Sequence, residues 1–351
     1  MNARALILCL AALLLPGLAA AQGFAGLGTT AEGFLTPERG RALNFPKDEG
    51  AHPGYRIEWW YMTANLRGED GQDYGVQWTL FRTQLAPEDG SGWASPVVWI
   101  GNAALTSKEQ HFSTERLARG GIGQAGVTAD PFEAWIDNWQ LAGKLPQLRV
   151  RASSPDFAFD LALEQTGPRV LQGDQGYSVK SREGQASYYY SYPFLKVNGM
   201  VTLPGGPVKV TGQAWIDREW SSQPLSKAQS GWDWISLHLE GGAKLMGFAL
   251  RERGDDRRAD FISGTWIAPG GTPTALGAGD LIMTPLEVAE VAGRRVPVRW
   301  RVQLPARGVD VTLTPLNQQA WMATSFPYWE GPVSISGSTG GTGYLEMTGY
   351  E

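Results

Sequence analysis

IEWWYMTANLRG, Ile57 to Gly68, runs through the turn GEDGQD into YGVQWTLFRTQL, which ends at Leu85. Aromatic and β-branched residues fill both stretches, the second alternates apolar with polar, and Gly and Asp sit in the turn where positive φ is cheap. This is a β-hairpin, and the chain writes it twice. GWDWISLHLEGG (Gly231 to Gly242) followed by KLMGFALRER (Lys244 to Arg253) again pairs a tryptophan-rich strand, a short polar turn and an apolar strand ending near arginine. The endings match as well. VKVTGQAW (Val208 to Trp215) and YLEMTGY (Tyr344 to Tyr350) each follow an aromatic strand with a V-x-G or I-x-G step, in FLKVNG and YWEGPVSISG. Such self-similarity implies a duplicated β-domain.

Further strand candidates are VVWIGNAALTS, AWIDNWQLAG, LRVRASS, FAFDLALEQ and ASYYYSYPFLKVNGMVTL. So many antiparallel strands leave edges open to mispairing unless each unit closes, so the expected architecture is all-β, two tandem antiparallel barrels. The expected boundaries are a signal peptide at 1–21, an N-terminal arm at 22–50, a first barrel at 51–222 and a second at 223–351. Gln223 to Ser230, a Pro/Ser/Lys/Gln stretch, is the junction. One stretch predicts a helix: SKEQHFSTERLA, Ser107 to Ala118, from its Ser start and acidic first turn.

Arg4, the apolar run Ala5 to Leu15, the breakers Pro16 and Gly17, and Ala19-Ala20-Ala21 read as a secretory signal cut near Ala21/Gln22. Export to a periplasm or the medium is therefore expected. The single cysteine, Cys9, lies in that segment, so the mature chain folds without disulfide or thiol chemistry. A formal charge of −5 and a pI near 5.4 lack the basic footprint that nucleic acid requires.

The chemistry concentrates in AWIDREWSS (Ala214 to Ser222) and GWDW (Gly231 to Trp234). With a period of two, Trp215, Asp217 and Glu219 share one strand face and Ile216, Arg218 and Trp220 the other. A carboxyl held against aromatic walls is driven toward its protonated form by desolvation. SYYYSY (Ser187 to Tyr192) puts Tyr188, Tyr190 and Tyr192 on one face, either as packing or as a phenol wall of a cavity. Trp60 reads as core or cavity wall, and Gln77 and Arg82 as inward polar groups that need partners. His52, His111 and His238 stand far apart without ligand spacing, no G-x-S-x-G elbow occurs, and no phosphate-binding glycine motif is present. Neither a metal nor a cofactor is expected.

E-W-W-Y (58–61), L-Q-G-D-Q-G (171–176), S-Y-Y-Y-S (187–191), W-I-D-R-E-W-S-S (215–222) and G-W-D-W (231–234) together resemble the carotenoid 1,2-hydratase/AttH-type family, a lipocalin-like group often labelled predicted secreted hydrolases. The resemblance runs from about His52 to the C-terminus. It implies two tandem lipocalin-like barrels and, as in the hydratases, addition of water to a terminal alkene of an acyclic carotenoid without a cofactor. It maps the acid of a W/Y-x-D strand onto Asp217, with Trp215 two residues before it. An upstream aromatic/His strand of the hydratases falls on Tyr188 and Tyr190, where this sequence has no histidine.

The expected mechanism follows. Asp217 protonates an apolar isoprenoid-type alkene, Trp215, Tyr188 and Tyr190 face the resulting cation, and a water oriented by Glu219 or a tyrosine captures it. Trp60, Gln77, Trp232 and Trp234 complete the expected substrate-binding set. The alternative is a monomeric, non-catalytic carrier of a lipid or isoprenoid, associated with a membrane or exporter, in which Asp217, Arg218 and Glu219 are a salt-bridge cluster at the junction. A secreted hydrolase is the third reading.

Overall fold

The computed structural model describes residues 31–254 and 259–350. Residues 1–21, where the sequence leads one to expect a signal peptide, lie outside the described residues. Among the described residues the chain forms two antiparallel sheets, one of thirteen strands and one of ten. Each curls on itself as expected of tandem lipocalin-like barrels, the first nearly closed and the second a half-barrel.

The duplication is visible in strand order. In the first sheet the opening strand Ile57–Gly68 lies between Asp73–Gln84 and the closing strand Gly206–Ser221, whose other neighbour is Ala186–Leu203. In the second the opening strand Gln229–Leu239 lies between Lys244–Glu252 and the closing strand Gly341–Thr348, beside Tyr328–Gly337. The chain passes from one sheet to the other between Ser221 and Gln229.

Burial shows which strands are covered on both faces. Gln147–Ser153 alternates, with Leu148, Val150 and Ala152 inward and Arg149 and Arg151 outward, as a half-solvated strand does. The opening strand Ile57–Gly68 and the closing half of Gly206–Ser221 are buried almost without interruption. One of their faces fills the first barrel and the other meets the second sheet. The apolar side chains accordingly form two barrel cores and a separate seam cluster that includes Tyr61, Tyr189, Trp215, Trp234 and Phe248. Direct bonds cross the seam, from Asn65 Nδ2 to the Gly343 carbonyl at 3.0 Å and from Lys244 Nζ to Gln213 Oε1 at 2.9 Å. At Gly75 the approach is so close that an added Cβ would stand 2.4 Å from Pro332 Cγ and 2.6 Å from Tyr344 Oη.

Among the described residues, the arm preceding the first strand is irregular apart from one turn of 3₁₀ helix, Lys47–Glu49. Leu43, Phe45 and Ala51 pack against the first core. The Trp60 indole donates to the Glu49 carbonyl at 3.0 Å, and Arg218 Nη2 to that of Gly50 at 2.8 Å. The arm therefore stoppers the first barrel. The helix expected over Ser107 to Ala118 is instead strand His111–Arg119, paired with Val97–Thr106. Sheet pairing there overrides the local capping signal.

Candidate active site

A cavity of about 450 Å³ lies at the seam. Trp59, Tyr61, Tyr189, Asp217 and Glu219 line it from the first sheet; Trp232, Trp234, Phe248, Leu250, Tyr328 and Glu346 line it from the second. Register explains the first wall. Opposed residues in an antiparallel pair share a face, so Asp217 stands beside Tyr61 and Ser191, and Glu219 beside Trp59 and Tyr189. The exposed side chains Leu85 and Phe326 mark the cavity's outer end.

Asp217 is 2% exposed and accepts three hydrogen bonds. The Tyr189 hydroxyl donates to Oδ2 at 2.6 Å, the Trp215 indole to Oδ1 at 2.6 Å, and the Ser191 hydroxyl also to Oδ1. Tyr189 in turn accepts from the Trp234 indole at 3.1 Å, so the second sheet braces the acid of the first. Burial raises the Asp217 carboxyl, the three donors pull it back, and the Glu219 charge raises it again, leaving it at about 7. Among the described residues no cation stands within ion-pair distance of it. Arg218, on the opposite face, donates to the Trp59 carbonyl at 2.8 Å and lies 3.6 Å from Glu58, over the Trp60 ring. The junction does hold an ion pair, but it is Lys180 with Glu219 at 2.9 Å, and Ser187 also donates to Glu219. Glu219 is thus committed to a cation and is not a free orienter of water.

The second wall carries acids too. The Trp232 indole donates to Glu346 at 2.6 Å. Burial raises this carboxyl, the indole lowers it, and the charges of Asp217 and Glu219 raise it further, to about 7. Glu330, opposite Glu346 on the neighbouring strand, accepts from Tyr61, and burial together with the Glu346 charge pushes its carboxyl well above the ordinary carboxylate range.

Four of the expected site residues, Asp217, Glu219, Trp232 and Trp234, meet at this cavity. Trp215 stands behind it as a donor to Asp217. Tyr188 and Tyr190 are corrected: they share the face of Trp220 and Arg218, inside the first barrel. The Tyr188 hydroxyl donates to the Glu38 carbonyl at 3.0 Å and that of Tyr190 to Glu49 at 2.7 Å, so both hold the arm. Trp60 is likewise core, and Gln77 is buried outside the lining, 3.4 Å from the Tyr328 hydroxyl. The phenol beside the acid is Tyr189. His52 is no loose loop residue; it stacks on Trp220 at 3.9 Å between Asp48 and Glu58, away from the cavity.

Sequence reasoning missed Tyr189, Lys180, Tyr328 and Glu346. For Glu346 a signal existed: Tyr344-Leu345-Glu346 repeats, in the second closing strand, the aromatic-x-acid pattern of Trp215-Ile216-Asp217.

A family model described as AttH-like matches residues 36–350. Among solved structures, an AttH-type protein of Nitrosomonas europaea is 32% identical, with 90% of this chain and 100% of that one covered at a TM-score of 0.80. Kievitone hydratase from Nectria haematococca is 16% identical, with 90% and 97% covered and a TM-score of 0.66. CghA in complex with Sch210972 is 12% identical, with the same coverage and a TM-score of 0.53. At those two identities the likeness is one of fold. No curated protein matches.

Proposed function

The chain belongs to the AttH-like family, and from that premise we propose that it is a hydratase-type lyase that adds water to an apolar, isoprenoid-type alkene in the seam cavity. The observation that carries this reading is the setting of Asp217: a cavity-facing carboxyl, buried among hydroxyl and indole donors, with no cation among the described residues within ion-pair distance. Such a group gives up a proton near neutral pH. Kievitone hydratase, named for a hydration, shares the fold and supports the reading by analogy.

Asp217 protonates the less substituted alkene carbon and leaves a tertiary cation. The rings of Trp59, Tyr189 and Trp234 line the same space and stabilise that cation by roughly 0.5–2 kcal/mol each. Water then captures it. A cavity of about 450 Å³ suits a small molecule, or the terminal unit of a longer chain such as an acyclic carotenoid whose remainder leaves past Leu85 and Phe326. A carrier would use the same walls and release its ligand unchanged.

The test is incubation with acyclic terpenes of increasing chain length in ¹⁸O-labelled water, read by mass spectrometry. A product heavier by one labelled water, absent with Asp217→Asn, is expected. Bound but unaltered ligand identifies a carrier, and undiminished product from the variant rules out the acid role.

A further inference from the structure

The two closing strands present their acids to the cavity from opposite walls. Asp217 is paired with Tyr61 of the first opening strand, and Glu346 with Trp234 of the second. The duplicated fold therefore places the two carboxyls at equivalent register positions, facing one space. They are not equivalently held. Asp217 is pinned by three donors and almost wholly buried. Glu346 accepts from Trp232 alone among the described residues, and part of its surface stays accessible. That accessible part is lining of the cavity.

We propose that Glu346 is a second catalytic residue of this cavity: the base that takes a proton from the adding water while Asp217 supplies the proton that goes to carbon. This rests on the hydration reading above. The O–H bond of Asp217 breaks as the new C–H bond forms at the expense of the π bond, leaving a carboxylate and a cation. The water oxygen bonds to the cation, and the proton it sheds passes to the Glu346 carboxylate, giving the alcohol. Return of that proton to Asp217 through cavity water restores the starting state.

The pair carries one negative charge before addition and after it. While the cation stands between them both carboxyls are ionised, and the cation's charge offsets the repulsion of two carboxylates across a space of low polarity, so pair and substrate together hold one negative charge throughout. The other groups around Glu346 do not replace it. Glu219 is paired with Lys180, Glu330 accepts from Tyr61 and is pushed well above the ordinary carboxylate range by burial, and Tyr61, Tyr189 and Tyr328 are phenols raised well above their ordinary range, chiefly by burial. Arg56, Arg82, Glu58 and Glu115 also border the cavity; Arg82 lies 3.6 Å from Glu58.

The experiment measures kcat and kcat/KM against pH on an acyclic terpene with a terminal dimethyl-substituted double bond for the wild type, Glu346→Gln and Asp217→Asn. A narrow bell is expected for the wild type. Glu346→Gln should lower kcat by about 10²–10⁴-fold with little change in KM and erase the acid-side limb. Full kcat with that limb intact, while Asp217→Asn is inactive, overturns this inference and leaves the hydration reading standing. An active Asp217→Asn, or a wild type without turnover, overturns the hydration reading and this inference with it. Infrared titration of the carboxylic-acid band lost in Glu346→Gln needs no substrate. That band should titrate near neutral pH and move to lower pH in Asp217→Asn. Titration in the ordinary carboxylate range, or no response to Asp217→Asn, overturns the shared proton.

Discussion

Replacing Asp217 by asparagine should stabilise the folded protein at alkaline pH. In the unfolded chain this carboxyl releases its proton near 3.8, whereas in the fold it does so at about 7, chiefly because it is buried. The folded state thus binds a proton that the unfolded state has lost across that interval, so wild-type stability falls as pH rises through it and levels off above. About three units at 1.36 kcal/mol each give a loss of about 4 kcal/mol, an upper figure for a site that can relax or admit water. Asparagine keeps the shape and carries no charge at any pH, so it lacks this slope. Near pH 4 the two proteins should differ little, by about pH 5 the variant should lead by roughly 1–2 kcal/mol, and at about pH 8 the full gap should be open. Urea unfolding followed by tryptophan fluorescence across this range is the assay. A gap that stays constant, or a wild type that gains on the variant as pH rises, would refute the reasoning, because the latter is the sign expected of a carboxylate fixed by a cation.

Tyr189→Phe removes one of the three donors to Asp217 and should raise that titration above about 7, whereas Tyr188→Phe, on the far face, should leave it unmoved; carboxyl infrared spectra separate the two. Lys180→Met strands Glu219, whose side chain is only 7% exposed, and should cost about 3–5 kcal/mol in urea unfolding, with much of the loss recovered when Glu219→Gln is added. Gly75→Ala drives a methyl into Pro332 and Tyr344 and should cost about 1–3 kcal/mol, read in the same assay.

The face shared by Trp215, Asp217 and Glu219, and the opposite facing of Arg218, were legible because alternation is a property of one strand. Which tyrosine joins Asp217 was not. That depends on the register between Ala186–Leu203 and Gly206–Ser221, which shifts between Tyr192 and Leu195, and pairing between separate strands leaves no local mark in the sequence. The duplication was legible from the hairpins, but that the two copies face each other across a cavity depends on seam contacts such as Asn65 with Gly343. The helix expected over Ser107 to Ala118 failed for the same reason: a neighbouring strand supplied backbone partners that the local signal did not anticipate.

The separation of the seam cluster from both barrel cores divides the side chains into two populations under different demands. Those inside the barrels secure folding, and several of those between them, among them Tyr61, Tyr189, Trp234 and Phe248, line the cavity. Substitutions that reshape the chamber for a new substrate can therefore accumulate while the packing that keeps each barrel folded is left alone. A lineage built this way can diversify its chemistry at small risk to solubility, and a designer has a bounded set of positions at which to begin.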